Sequence, residues 1–501
     1  MTYFMHNTSQ KKNYRNALKS TTLIGGGSFI SIILQTIKTK FIAIWIGPSG
    51  VGLIDLYQSI LQIASTLSDL GINTSGVREV ASNIDDVENE SRVVSALRGL
   101  LLFSGFIGMA AIAIGAPIWS RLVFQDSSHT GSIVLLSIIV LMGNIAVGQS
   151  CVIQGHRHIA DLAKKNIFGS LCGLLISIPC YYYLEMRGVV PALILMSAAN
   201  LAVTYYYARK IPIKRVRFSF SWAIAPIQRM LKLGIPIMLL SFIYAAFNMV
   251  TKPILLTRFS LDGVGKYMAA VMLSGVLVRF VLSAMSADFY PRLVEIAKDK
   301  ERIRDEMDIQ SEIAILLAAP LLLATIIFAP LIISIFYSSA FTESVDILRM
   351  TIFGSLGYVV SWPLAYFLLS QGMGKTDLFA NIIAVTIHLL VINFASDAFG
   401  LVGAGLASPV QMFSLTIIFL IIYHRKTGYL WSFSYLIHLL LLVILMESVI
   451  LVGYWNVDLW IRWVIYLTIL STVSIYSMTR LMKKSGLSIL TALKRFSGKN
   501  E

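Results

Sequence analysis

Lys40 to Gly52 reads KFIAIWIGPSGVG, and Lys252 to Gly265 reads KPILLTRFSLDGVG. In each, an apolar run ends, the chain turns, and Gly-Val-Gly opens a second apolar run. From Gly52 to Gly265 is 213 residues. Further echoes follow at spacings between 213 and 217. Arg78-Glu79-Val80-Ala81 returns as the RLVEIA of 292–297. Gln154-Gly155 with Asp161-Leu162 returns as Gln371-Gly372 with Asp377-Leu378, and Arg209-Lys210 as Arg425-Lys426. Matches in one order at one spacing mark an internal duplication, which fixes architecture before any single motif does.

Outward from these turns the chain is apolar almost throughout. Of its 501 residues 56% are apolar and 13% charged, against about 45–50% and about 25% in soluble domains. A soluble multidomain enzyme is excluded. A helix needs about 20 apolar residues to cross a bilayer core. Fourteen stretches qualify: 21–46, 52–75, 99–118, 132–153, 167–184, 189–208, 233–257, 265–288, 312–336, 348–370, 378–396, 401–423, 435–453 and 463–479. Strands of a membrane barrel would be about 10 residues long and strictly alternating, so helices are expected. The reading is an all-α polytopic membrane protein: two six-helix repeats around a central cleft, plus two C-terminal helices.

The net charge of +15 is explained by orientation, not by nucleic acid. With the N-terminus cytoplasmic, the inner segments hold 31 Lys and Arg and the outer loops hold 4, the positive-inside bias. The expected organisation is a cytoplasmic N-terminus 1–20, an N-lobe 21–208, a basic cytoplasmic linker 209–232, a C-lobe 233–423, helices 13 and 14 over 424–479, and a basic cytoplasmic tail 480–501. The linker is either a positive-inside anchor or a site for anionic headgroups. No small-residue cleavage site follows a short apolar core, so the first helix is expected to be retained. Six spans per repeat is an even number, so the repeats are expected to share orientation, with an axis along the membrane normal.

Polar stripes interrupt four spans. Ser28, Ser31, Gln35 and Lys38 lie on one face of helix 1. Asp55, Gln58, Gln62, Ser65 and Asp69 do so on helix 2, and Ser241, Tyr244, Asn248 and Thr251 on helix 7 beside Lys252; Arg279, Ser283 and Ser286 form a weaker stripe on helix 8. Charge facing lipid costs about 2.5–3.5 kcal/mol on insertion scales, so these faces are expected to line a polar cleft. Gln35, Lys38, Gln58, Gln62, Asn248, Lys252 and Arg279 are the candidate substrate contacts. Lys and Arg at mid-depth suit a phosphate-bearing substrate. The alternative is that each cation pairs with a neighbouring acid, for example Lys38 with Asp55. Asp69, Asp288 and Glu447 are candidates for coupling to a cation gradient, and His388 for a proton relay.

Enzyme chemistry is not expected. Gly374-Lys375-Thr376 resembles the end of a phosphate-binding loop, but Leu369 stands where that loop requires glycine. His156 and His158 flank an arginine and lack the ligands of a metal site. Cys151, Cys172 and Cys180 read as small buried hydrophobes. No metal or cofactor is expected.

Gly47-Pro48-Ser49-Gly50-Val51-Gly52-Leu53, Gln58, Gly71-Ile72 and Gln154-Gly155 resemble, in that order, the O-antigen flippases. These are polysaccharide transporters of the multidrug/oligosaccharidyl-lipid/polysaccharide exporter superfamily. The resemblance covers nearly the whole chain. It implies a carrier in the bacterial inner membrane that moves undecaprenyl-diphosphate-linked oligosaccharide to the outer leaflet by alternating access, through a cationic cavity. It also implies membrane lipids, a glycan polymerase and a chain-length regulator as partners, and no nucleic acid. A peptidoglycan-precursor flippase, a cation-coupled drug antiporter and a membrane scaffold for glycan synthesis are the rival readings.

Overall fold

The structure, a computed structural model, describes residues 30–485 except 215, 217, 218 and 457. Among the described residues every regular element is helical. They are α1 (30–45), α2 (Gly47–Asp69), α3 (Ile72–Ala81), α4 (Val87–Phe124), α5 (Thr130–Leu136), α6 (Ile138–Gly155), α7 (Ile159–Leu184), α8 (Val189–Ala208), α9 (Phe220–Ser274), α10 (Val276–Glu295), α11 (Lys300–Ile327), α12 (Ala329–Phe336), α13 (Ser344–Ser370), α14 (Gly374–Gly405), α15 (Ala407–Thr427), α16 (Phe433–Tyr454) and α17 (Leu459–Ser485).

Ten helical stretches among the described residues are long and apolar enough to cross a membrane. One of them, Ile159–Ala208, has 50 residues and contains two crossings, since a helix rises 1.5 Å per residue and the core is about 30 Å thick. The remaining expected spans fall on α1, α2 and the α9–α10 junction. This is consistent with the fourteen expected.

The duplication is written in the backbone. Gly47 has φ 63° and Ser260 has φ 60°, 213 residues apart. Arg157 (φ 56°) and Gly372 (φ 69°) are 215 apart, as are Glu185 (φ 47°) and Gly400 (φ 61°). Each pair breaks or ends a helix at the same point of its repeat. Asp86 caps α4 by accepting from Glu88 N and Asn89 N at 3.0 and 3.1 Å, and Asp299 caps α11 by accepting from Arg302 N at 3.2 Å. Those caps are again 213 apart. A capping carboxylate satisfies amide groups that a helix start leaves without partners.

One expected span, 52–75, is two helices. The chain breaks at Leu70 and Gly71, both at positive φ. A Cβ on Gly71 would lie 2.0 Å from the carbonyl oxygen of Gly234. The glycine therefore permits a backbone contact between the α2–α3 turn and α9 that any side chain would block.

Contacts divide the described residues into two compact units: those within Met1–Gly265 together with Phe336–Ser338, and those within Lys266–Ile335 together with Ser339–Glu501. In the first, α4 packs on α2 and α6, α6 on α8, and α7 on α8. One core of this unit gathers Ile72, Val80, Val94, Leu97, Cys151, Val152 and Met230. In the second, α13 is the buried centre, packed on α11, α14 and α15, while α16 and α17 pack on α11. Apolar side chains such as Ile114 and Phe103 stay exposed, as lipid-facing residues do.

Candidate functional site

Within the first unit, α1 presents Ser31, Gln35 and Lys38 to a cavity of about 540 Å³ whose other walls are α7 and α8. Spacings of 4 and 3 residues keep these three on one helical face. Asn166 and Ser170 of α7 and Asn200 of α8 complete the polar lining. Helices α7 and α8 come close enough because of Gly169, where a Cβ would sit 3.1 Å from Asn200 Oδ1. Lys38 is half-buried and makes no ion pair among the described residues. The cavity thus offers one ammonium surrounded by amides and hydroxyls. Ser28, expected on the same stripe, lies outside the described residues.

The second candidate lysine has another fate. Lys252 on α9 is buried, and its Nζ lies 2.8 Å from Asp55 Oδ2 of α2. The contact is off the hydrogen-bonding direction, and Nζ donates instead to the Asp55 carbonyl oxygen at 3.3 Å. Lys38 was the alternative reading's partner for Asp55; the acid pairs instead with Lys252, which α9 brings to this face of α2. A buried charge left alone would cost several kcal/mol, so this pair is a fixture of the first unit.

Just outside it the two repeated turns meet. A Cβ on Gly52 would lie 2.3 Å from Leu261 O, and one on Gly265 would lie 1.9 Å from Pro48 O. The duplicated Gly-Val-Gly is thus the means by which two turns touch backbone to backbone. Ser49 donates to Asp262 Oδ1 at 3.4 Å, and these are equivalent positions of the repeats. Lys40 donates to the carbonyl oxygen of Tyr337.

The other candidates are scattered. Gln58 and Gln62 are exposed on α2, and Gln62 Nε2 donates to Thr66 Oγ1 at 3.2 Å. Asn248 is exposed and donates to the Tyr244 carbonyl oxygen at 3.0 Å. Asp69 Oδ1 accepts from Asn73 N at 3.2 Å, which supports the start of α3. In the second unit Arg279 is exposed on α10 and folds over Gly275, where a Cβ would lie 2.6 Å from Nη1. Glu447 is exposed on α16 and His388 half-buried on α14. The side chain of Asp288 lies outside the described residues. His156 Nε2 lies 2.5 Å from Glu90 Oε1, and His158 Nδ1 lies 3.2 Å from Asp161 Oδ2, so each imidazole serves a local pair.

Asn166, Ser170 and Asn200 were not among the sequence candidates. Stripes bearing charge stand out in a membrane helix; α7 carries only an uncharged one. The available signal was Asn166, Gly169, Ser170 and Gly173, a polar and small face at helical spacing.

Residues 17–297 match the family described as polysaccharide biosynthesis protein, and residues 296–394 match the MatE family. The chain is 20% identical to the lipid III flippase of Escherichia coli over 426 residues, covering 81% of this chain and 99% of that one. Among solved structures, a lipid II flippase in an inward closed conformation is similar with a TM-score of 0.69 at 13% identity, over 92% of this chain and 99% of that one. An inward-facing multidrug resistance MATE family transporter is similar with a TM-score of 0.65 at 14% identity, over 79% and 94%.

Proposed function

The chain belongs to the polysaccharide biosynthesis protein family, and on that premise we propose that it carries lipid-linked glycan across the bacterial inner membrane. The cargo is an undecaprenyl-diphosphate-linked oligosaccharide, an O-antigen or similar repeat unit. The observation that carries this reading is Lys38, a cation without an ion pair among the described residues, set among Gln35, Asn166, Ser170 and Asn200. Amides and hydroxyls exchange hydrogen bonds with sugar hydroxyls, and the ammonium attracts phosphate oxygens. The cavity volume of about 540 Å³ falls in the range of small-molecule sites and holds part of such a headgroup. The polyprenyl tail stays in lipid.

The cycle is alternating access, and both termini are cytoplasmic, a placement supported by the 31 to 4 distribution of Lys and Arg. Arg279, in the second unit, is a further candidate for contacting phosphate. Asp69, Asp288 and Glu447 are the groups through which a cation gradient couples. Relatives named as a putative O-antigen transporter and a probable low-salt glycan biosynthesis flippase support a glycan cargo. The partners are a glycan polymerase and a chain-length regulator.

The MatE match over 296–394 favours one other reading, a drug antiporter. Drug carriers for cationic compounds need acids in the cavity, and here the ionised group lining it is Lys38. A peptidoglycan-precursor flippase differs only in cargo. The test is deletion of the gene, followed by analysis of lipid-linked intermediates. The expected outcome is accumulation of undecaprenyl-linked oligosaccharide with loss of surface glycan. Unchanged glycan with raised drug sensitivity would overturn the reading.

A further inference from the structure

A second and larger cavity lies in the first unit, apart from the Lys38 site. It encloses about 890 Å³ between α3, the first turns of α4 and the first turns of α9. Arg78 and Arg92 enter it from α3 and α4, and Arg229 and Lys232 from α9. One acid, Glu79, faces them. Glu79 is buried, and its Oε1 accepts from Arg229 Nε at 2.7 Å and lies 2.6 Å from Arg229 Nη2. That pair fixes one edge of the guanidinium and leaves Nη1 without a partner among the described residues. Arg92 is held by Glu88 at 2.5 Å. Arg78 and Lys232 are exposed and make no ion pair among the described residues. Trp222 adds an amphipathic wall.

A positive-inside anchor needs only basic residues strung along loops. Here four cations from three helices converge on one concavity, and a buried carboxylate orients one of them. The geometry points to a binding site for the phosphate-bearing headgroup of an acidic phospholipid, seated between α3, α4 and α9. Basic pockets between helices at the cytoplasmic face suit such headgroups, and the planar guanidinium fork matches two phosphate oxygens at once. Because Arg229 and Lys232 end the linker 209–232, occupancy ties that linker to α3 and α4. The site is independent of the glycan reading, since none of its residues lines the Lys38 cavity.

The test is native mass spectrometry of the full-length protein from nanodiscs of phosphatidylcholine with phosphatidylglycerol or cardiolipin, counting retained acidic lipid. Each cation near an anionic surface contributes about fivefold, so Arg78→Gln with Lys232→Gln is expected to lower retention by about 30-fold. The charge-preserving pair Arg78→Lys with Lys232→Arg keeps it. Lys210→Gln, a cytoplasmic cation stacked on Tyr206 and Tyr207 outside the cavity, changes retention little. Inorganic phosphate at millimolar concentration serves as the second arm. Weak competition supports a lipid headgroup, and displacement of all retained lipid by it would overturn the assignment in favour of free phosphate. Unchanged retention in the Gln pair, or an equal loss in Lys210→Gln, would also overturn it.

Discussion

Neutralising Asp55 separates the two lysines that the sequence treats alike. Both side chains of the Asp55–Lys252 pair are less than a tenth exposed, 8% and 9%, at 2.8 Å. At an effective dielectric of about 20 their attraction is about 6 kcal/mol, offset by several kcal/mol of desolvation for each ion. The intact pair is therefore close to balanced. Asp55→Asn removes the attraction but leaves the Lys252 ammonium buried, which costs about 3–5 kcal/mol. For a unit of this size that is a fall in Tm of about 5–10 °C. Asp55→Asn with Lys252→Met removes both charges and is expected to recover most of the loss. The assay is the thermal unfolding of detergent-purified protein, with the two single variants and the double variant forming a cycle. A double variant as unstable as the sum of the singles, or single variants that melt with the wild type, would refute the argument that the pair is a buried mutual neutralisation.

Lys38→Gln is expected to leave Tm within about 1 °C, because no ion-pair partner among the described residues is stranded. It should lower glycan export by about tenfold or more, measured as surface glycan in the deletion strain, since hydrogen bonds to charged groups contribute about 1.5–3 kcal/mol. Gly52→Val should place methyl groups against the Leu261 carbonyl and destabilise by more than about 2 kcal/mol, read as lower yield and Tm; tolerance of valine would contradict the backbone contact. His129, whose ring lies 2.7 Å from Tyr57 Oη, has its pKa lowered by burial, with Asp126 pulling the other way. A pKa depressed on folding means that the unfolded chain binds the proton more readily, so stability is lost as pH falls below about 6.5. Tm compared at pH 7.5 and 5.5 should show a smaller drop in His129→Gln than in the wild type.

The helical class and the duplication were legible because both rest on local pattern: runs long enough to span, and motifs returning at one spacing. The Gln35 and Lys38 stripe was legible for the same reason, since helical periodicity alone puts these residues on one face. What faces that stripe was not. Asn166 and Asn200 join Lys38 only because α7 and α8 fold back on α1, and no periodicity along α1 encodes that. Asp55 lies 17 residues from Lys38 and 197 from Lys252, yet the distant lysine takes it, because packing of α9 on α2 decides the partner. The break at Leu70–Gly71 escaped for a related reason: the backbone it packs against is Gly234, far away in sequence. Glu79 and Arg229, 150 residues apart, are the same kind of case.

The paired helix breaks carry a consequence for how the duplication has aged. In each pair one copy is glycine and the other is not: Gly47 and Ser260, Gly400 and Glu185, Gly372 and Arg157. Ser260 (φ 60°, ψ −178°) occupies a region essentially reserved for glycine, and Glu185 (φ 47°, ψ −128°) is similarly strained. Each holds tension of about 1–3 kcal/mol that its glycine counterpart lacks. The bend is thus kept in both copies although only one of each pair has glycine there. Each copy is a ready-made instruction for the other: Ser260→Gly and Glu185→Gly, borrowed from within the same chain, should relax it without altering its course.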